Sequence, residues 1–314
     1  MICTKEKSKQ MNKVYLLTHN NDQYVQLLQN LPLPGLEIVD DKKEANIVIG
    51  APPLAAKCLN EFTSLEWLQS TYAGIETLVQ PELRQDYLLT NIKGIFGQFI
   101  SEYVIGYCIQ HYRHFPQYQD QQNKRDWQPH SYTSLLDKKM VILGTGSIGN
   151  YLAKAATAMG FTVSGVNRTG IPAKDSAFDS LYHINEIHSV LKGADVIVNT
   201  LPETSNTLGL LDKELFSNCQ KVLFFNVGRG STVNEDELIE CIEAQYIEHA
   251  FLDVFTHEPL SQEHPYWSHD SITVTPHIAA TSFPRDVIET FKVNYDRWCH
   301  GFSLENIVNF DKGY

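Results

Sequence analysis

Arg229, Glu258 and His277 are the residues of this chain whose types and order could do chemistry on a carbonyl group. Each sits in a short motif: F-N-V-G-R-G at Phe225–Gly230, L-D-V-F-T-H-E-P-L at Leu252–Leu260 and V-T-P-H-I-A-A at Val274–Ala280. An arginine flanked by glycines can hold a carboxylate through two parallel hydrogen bonds. A histidine can deliver a proton near neutral pH, and a carboxylate beside it favours the protonated ring. The set therefore fits reduction of a carbonyl that lies next to an acid group. Each residue also has a plainer reading. Arg229 could cap a helix or bridge to a surface acid, and Glu258 alone would be a solvated loop carboxylate. His257 is a rival proton donor, but it lacks an expected partner and reads as a loop residue.

A second motif supplies a place for an anion. V-I-L-G-T-G-S-I-G at Val141–Gly149 puts Gly144, Gly146 and Gly149 where an apolar run gives way to an Ala-rich, helix-like segment. A glycine-rich turn at a helix N-terminus presents free backbone N–H groups to a pyrophosphate, and the helix dipole favours its charge. With a strand before it and a helix after it, this pattern reads as a dinucleotide site rather than a bare tight turn. The next strand ends in V-N-R-T, so Asn167, Arg168 and Thr169 fall where an acidic residue would meet the ribose hydroxyls of NAD. A guanidinium and a hydroxyl suit a 2′-phosphate instead, which favours NADP(H) and leaves NAD(H) possible.

These motifs need elements to carry them. Short apolar runs alternate with helix-like segments, as in a parallel α/β sheet. Strands are expected at Val14–Thr18, Ile47–Gly50, Leu65–Ser70 and Leu88–Asn91, with helices at Tyr24–Leu31 and Leu54–Leu59. A long helix is expected from Phe99 to about Lys124, kinked near Phe115 because Pro116 removes an internal hydrogen bond. The alternation then resumes. Strands are expected at Met140–Leu143, Phe161–Val166, Val196–Thr200, Val222–Val227, Ala250–Val254 and Ile272–Thr275. Helices are expected at Ser147–Met159, Glu186–Leu191, Lys213–Ser217 and Glu235–Glu243. A last amphipathic helix spans Arg285–His300, with Gly301 as its C′ residue. The three polar motifs each follow a strand, and strand ends face the ligand crevice of an open parallel sheet. The expected organisation is discontinuous: residues 1–98 and 289–314 form one domain and residues 99–288 the dinucleotide-binding domain.

Composition narrows the class. A net charge of −12 argues against nucleic acid or an anionic membrane as partner, so an acidic substrate must be met by locally placed arginines. Six cysteines without a C-x-x-C pair are read as reduced cytoplasmic thiols. The opening M-I-C-T-K-E-K-S-K-Q has no apolar core for a signal peptide, and no apolar run reaches membrane-spanning length. The histidines show no metal-ligand spacing, so no catalytic metal is expected.

Taken in order, G-T-G-S-I-G, L-P-E-T-S-N-T at Leu201–Thr207, N-V-G-R-G, L-D-V-F-T-H-E-P-L and T-P-H-I-A-A resemble the D-isomer-specific 2-hydroxyacid dehydrogenase family. Within it, W-L-Q-S-T-Y-A-G-I-E at Trp67–Glu76, E-Y-V-I-G-Y at Glu102–Tyr107 and N-R-T are most similar to NADPH-preferring glyoxylate and hydroxypyruvate reductases. The resemblance implies two Rossmann- or flavodoxin-like domains with parallel sheets and the active site in the cleft between them. It implies that Arg229 binds a small 2-oxo acid, that His277 is the general acid/base and that Glu258 is its partner. Backbone N–H groups of Ala73 and Gly74 would meet the substrate carboxylate. Gly144, Gly146, Ser147, Ile148, Gly149, Asn167, Arg168, Thr169, Val227 and Gly228 would line the cofactor. Leu201 and Pro202 would flank the nicotinamide, and Asp253 would orient its carboxamide or tune the site. A homodimer through the coenzyme domain and the helix near Glu102 is also implied. Two rivals share the fold: a cofactor-sensing corepressor, for which no peptide-binding extension is seen, and a formate-type dehydrogenase, which would carry Gln in the Glu258 role.

Overall fold

The computed structural model describes residues 11–310. Cys3 and the N-terminal segment discussed above lie outside the described residues. Contacts divide the chain into two units, Met1–Ile95 with Ser282–Tyr314, and Phe96–Thr281. The expected boundaries fell a few residues later at each junction, inside helices that the structure keeps whole.

The first unit is built on strands β1 (Asn12–Leu17), β2 (Leu36–Ile38), β3 (Ile47–Gly50), β4 (Trp67–Ser70) and β5 (Leu88–Thr90). They form one parallel sheet in the order β2-β1-β3-β4-β5, the flavodoxin-like arrangement. Every residue of β3 and β4 is buried, including the polar Gln69 and Ser70 of β4, as central strands covered on both faces should be. Helices α1 (Asn21–Gln29) and α2 (Pro52–Cys58) follow β1 and β3. β2 was not expected, because three residues, two half-buried and Glu37 exposed, are too few to leave a periodic signal.

The second unit opens with α3 (Phe96–Tyr112) and α4 (Phe115–Lys124). The break between them falls at His114, which takes φ 56°, not at the proline. Pro116 lies in the first turn of α4, where its missing N–H costs nothing. Then come β6 (Lys139–Leu143), α5 (Ser147–Ala158), β7 (Thr162–Asn167), β8 (Ser180–His183), α6 (Ile187–Leu191), β9 (Val196–Asn199), α7 (Lys213–Phe216), β10 (Val222–Asn226), α8 (Glu235–Glu243), β11 (Ile247–Leu252) and β12 (Ile272–Val274). Their parallel sheet runs β12-β11-β10-β9-β6-β7-β8, which is the Rossmann order extended by one strand. The order reverses between β6 and β9, so the crevice for a ligand opens beyond the carboxyl ends of those strands. β8 is the other unexpected strand, again a short edge element.

The chain returns to the first unit in α9 (Pro284–Cys299). Trp67 of β4 stacks on Phe291 with ring centroids 5.0 Å apart, and Trp298 Nε1 donates to buried Asn12 Oδ1 at 3.0 Å. α9 ends where Gly301 takes φ 71°; the Phe302 amide bonds back to Arg297 O at 2.8 Å and the Gly301 amide to Trp298 O at 3.2 Å. That is a Schellman stop, which favours glycine at this position. Among the described residues no helix is long and apolar enough to cross a membrane.

Candidate active site

The glycine turn between β6 and α5 is explained by packing at two of its three glycines. Gly144 takes φ 101°, and a Cβ there would lie 2.6 Å from Thr200 Oγ1. A Cβ on Gly149 would lie 2.0 Å from Gly144 O, so this glycine lets α5 press onto the turn. Gly146 differs from both. Its φ is −72°, open to any residue, and a Cβ there would meet nothing within 4 Å. Packing gives no reason for glycine here. Gly146 is also the N-cap of α5 and has no side-chain cap, which leaves the first amides of the helix, including those of Ser147 and Ile148, without a capping side chain. The turn thus fits a pyrophosphate lying against bare backbone.

At the end of β7, Asn167 is consumed in holding its own loop. Its Oδ1 accepts from the amides of Thr169 at 2.9 Å and Gly170 at 2.6 Å, and its Nδ2 donates to Thr145 Oγ1 at 2.9 Å. The Asn167 side chain therefore ties the loop to the glycine turn. Arg168, between these anchors, is exposed and makes no hydrogen bond or ion pair among the described residues.

The ends of β9 and β10 are joined by a buried polar network. Asn199 and Asn226 are register partners, and Asn199 Nδ2 donates to Asn226 Oδ1 at 2.9 Å and to Thr232 Oγ1 at 2.7 Å. Thr232 Oγ1 in turn donates to Arg229 O at 2.6 Å, and Asn226 Nδ2 donates to the same carbonyl at 3.1 Å. Arg229 itself is half-buried, with Nη1 donating to Gly228 O at 2.8 Å. A Cβ on Gly228 would lie 2.7 Å from Leu201 O, so the arginine turn packs directly on buried Leu201. Pro202, next in sequence, is exposed, and Val227 is half-buried. On the other side, a Cβ on Gly230 would lie 2.0 Å from the carbonyl carbon of Phe255. The Phe255–Thr256 backbone leads to Glu258.

Glu258 Oε2 lies 2.8 Å from His277 Nδ1, and its Oε1 accepts the Phe255 amide at 3.0 Å. The hydrogen bond to Glu258 holds the His277 imidazole above its ordinary pKa. Burial opposes it, the charges of Glu258 and Asp253 add to the rise, and Arg229 detracts from it. Burial alone pushes the Glu258 carboxyl up, but bonds from His277 and the Phe255 amide, with the charges of His277 and Arg229, hold it below its ordinary value. The histidine side chain is 53% exposed and the glutamate 35%, so solvent screens the pair. His257 is exposed and makes no hydrogen bond among the described residues.

Asp253, just past β11, is 2% exposed and has both carboxylate oxygens occupied. Oδ1 accepts from Thr275 Oγ1 at 2.6 Å and the Ile278 amide at 2.9 Å, and Oδ2 accepts the Ala279 amide at 2.9 Å. Its backbone carbonyl accepts the His277 amide at 2.9 Å. The carboxylate is thus committed to the turn that carries His277. Asn199, Asn226, Thr232 and Thr275 escaped the sequence reading as site residues. The available signal was an asparagine ending each of the apolar runs V-I-V-N and V-L-F-F-N.

Ala73 and Gly74 belong to the first unit, in the turn after β4, where Asn91 Nδ2 donates to Ala73 O at 2.8 Å. The five described cysteines are free, and burial pushes Cys219 up to about 12 and Cys241 to about 11. Among the described residues no group of His, Cys, Asp or Glu is arranged to hold a metal ion.

Known proteins agree with this architecture. Residues 105–279 match the model of the D-isomer specific 2-hydroxyacid dehydrogenase NAD binding domain. A glyoxylate/hydroxypyruvate reductase A of Serratia proteamaculans is 33% identical over 69% of this chain and 69% of its own. The crystal structure of a D-isomer specific 2-hydroxyacid dehydrogenase family protein from Aeromonas salmonicida is 38% identical, with TM-score 0.92 over 96% of this chain and all of that one. An NADPH-dependent glyoxylate/hydroxypyruvate reductase from Sinorhizobium meliloti, solved with NADP and sulfate, is 26% identical with TM-score 0.83 over 96% of this chain and all of that one. The Rossmann unit, its glycine turn and a family match across more than half of the sequence lead to one conclusion: the chain belongs to the D-isomer specific 2-hydroxyacid dehydrogenases, a family of NAD(P)-dependent oxidoreductases.

Proposed function

We propose that this enzyme reduces small 2-oxo acids, such as glyoxylate or hydroxypyruvate, to D-2-hydroxy acids, with NADPH as the preferred cofactor. The observation that carries this reading is the 2.8 Å contact of His277 with Glu258, within reach of the Arg229 charge. A proton donor, its anionic partner and a cation for the substrate are what carbonyl reduction beside a carboxylate requires.

The glycine turn with Ser147, Ile148, Val227 and Gly228 would hold the dinucleotide, and Arg168 with Thr169 would meet a 2′-phosphate. Asn167 would act by holding that loop in place. Leu201 and Pro202 would flank the nicotinamide. When bound, the reduced cofactor supplies the hydride that reaches the carbonyl carbon. Arg229 would bind the substrate carboxylate and carbonyl oxygen and stabilise the charge that develops there. The amides of Ala73 and Gly74 would bind the same carboxylate. His277 would give its proton to the carbonyl oxygen, with Nδ1 held by Glu258, which leaves Nε2 for the substrate. Two relatives bear on the substrate and cofactor by name: the Serratia protein is a glyoxylate/hydroxypyruvate reductase and the Sinorhizobium one is NADPH-dependent. A cytoplasmic homodimer, formed through the second unit and α3 near Glu102, completes the proposal.

The test is a substrate panel. Purified protein is given NADPH or NADH with glyoxylate, hydroxypyruvate, pyruvate and larger 2-oxo acids. Turnover should be highest with NADPH and the smallest acids. Dinucleotide binding without turnover of any 2-oxo acid would overturn the reading in favour of a sensor.

A further inference from the structure

Two polar residues outside the reacting set converge on the turn that carries His277. Thr275 Oγ1 donates its single hydrogen to Asp253 Oδ1 at 2.6 Å, because an ionised carboxylate only accepts. The 2.8 Å contact of that same oxygen with Tyr103 Oη must then be a bond that the tyrosine donates. Tyr103 projects from α3, far away in sequence, and packs edge-on against Tyr107 at 4.8 Å. A chain of hydrogen bonds therefore runs from α3 through Thr275 to Asp253, and from Asp253 to the amides of His277, Ile278 and Ala279.

The turn needs such support. His277 takes φ 53°, in the left-handed region, which is uncommon for a residue with a side chain and is held here by the bonds around it. The amides after it are fixed by the two oxygens of Asp253, and Asp253 is fixed in part by Thr275. Groups charged or titratable near this point are Glu258, Asp253 and Arg229 about the imidazole, and Tyr103 and Tyr107 about Asp253. Burial pushes the Tyr103 phenol up, against the hydrogen bond to Thr275, so it stays a neutral donor through the working range of a histidine.

We propose that Tyr103 and Thr275 are positioning residues for the proton donor: acting through Asp253, they hold the His277 turn so that the ring keeps its contact with Glu258. The inference rests on the assignment of His277 as the acid.

The experiment compares the full chain with Tyr103→Phe, Thr275→Val, Thr275→Ser, the Tyr103→Phe/Thr275→Val pair and His277→Ala. Tyr103→Phe keeps the ring packing and should lower kcat about threefold to tenfold, and Thr275→Val about tenfold to a hundredfold, as expected when a reacting group is misplaced. KM for NADPH should stay unchanged. Thr275→Ser, which keeps the hydroxyl, should recover most of the loss. The double variant should be no worse than Thr275→Val alone, since both act along one chain. NMR titration of His277 in the cofactor-free protein should show its pKa lowered in Thr275→Val and little changed in Thr275→Ser. Wild-type kcat and an unmoved His277 titration in Tyr103→Phe and Thr275→Val would overturn the inference, as would fully additive losses. If Thr275→Val does not fold, Tyr103→Phe and Thr275→Ser decide by the same criteria. His277→Ala separates the two levels: retained turnover removes the acid assignment itself, whereas lost turnover beside silent Tyr103 and Thr275 variants removes only the positioning role.

Discussion

Glu258 Oε2 and His277 Nδ1 are 2.8 Å apart, although the residues lie in different loops after different strands. The contact selects one nitrogen of the ring for the carboxylate. It also sets the direction of the pH dependence. A raised pKa on His277 means that the acid form persists above the ordinary histidine value.

The proposed reduction needs that acid form. The rate should be level at lower pH and fall as pH climbs through the raised pKa of His277. Glu258→Gln keeps the shape but removes the charge, so the alkaline fall should move to lower pH with activity partly recovered in acid. A pH–rate profile of kcat/KM for glyoxylate checks this. An unmoved profile in Glu258→Gln points to another proton donor, with His257 the first to examine.

Arg168 is exposed beside the glycine turn, held there by the bonds of Asn167 to Thr169 and Gly170. Arg168→Ala should raise the KM for NADPH far more than that for NADH, by a contact of about 1.5–3 kcal/mol. Matched losses with the two cofactors would remove Arg168 from the 2′-phosphate. Thermal stability should be unchanged in either case.

Arg229→Lys keeps the charge but loses the planar fork. We expect a large fall in kcat/KM for 2-oxo acids while NADPH affinity, measured by fluorescence titration, is retained. Wild-type behaviour in this variant would leave the substrate carboxylate to be anchored elsewhere.

Gly146 and Gly149 should respond in opposite ways to a methyl group. Gly146→Ala meets open space at an ordinary φ, so folding stability should change by no more than about 1 kcal/mol. Cofactor affinity should fall sharply, because the methyl would occupy the ground proposed for the pyrophosphate. Gly149→Ala drives a Cβ into the Gly144 carbonyl and should cost about 1–3 kcal/mol or more of stability. Denaturant melts and dinucleotide titrations of both variants separate the two effects.

The legible parts of this molecule were those written in local sequence. Val222–Asn226 is buried at every position, and such unbroken apolar strands announce a parallel sheet covered on both faces. The glycine turn and the arginine turn follow largely buried strands and the histidine turn follows the short edge strand β12, so strand and motif order together placed all three at carboxyl ends of one sheet. β2 and β8 were silent because L-E-I and S-L-Y-H are short, none of their residues is buried, and polar residues break up their apolar ones. The boundaries between units slipped because nothing local shows which sheet a helix such as α9 will join. The Asn199–Asn226–Thr232 network was hidden for a different reason. It depends on β9 and β10 pairing in a register that puts the two asparagines opposite each other, and register is a property of two strands at once. The left-handed backbone of His277 was equally hidden, since the bonds that hold its turn come from Asp253, which belongs to a different motif.

Gly230 carries a constraint that reaches beyond its own turn. With the carbonyl carbon of Phe255 only 2.0 Å from where a methyl would sit, the turn that presents the arginine and the loop that presents the glutamate share a single seam without clearance. Neither can be lengthened, tilted or exchanged without dragging the other. A side chain placed at Gly230 would therefore displace the glutamate loop as well as the arginine turn, so the two are coupled through this one position.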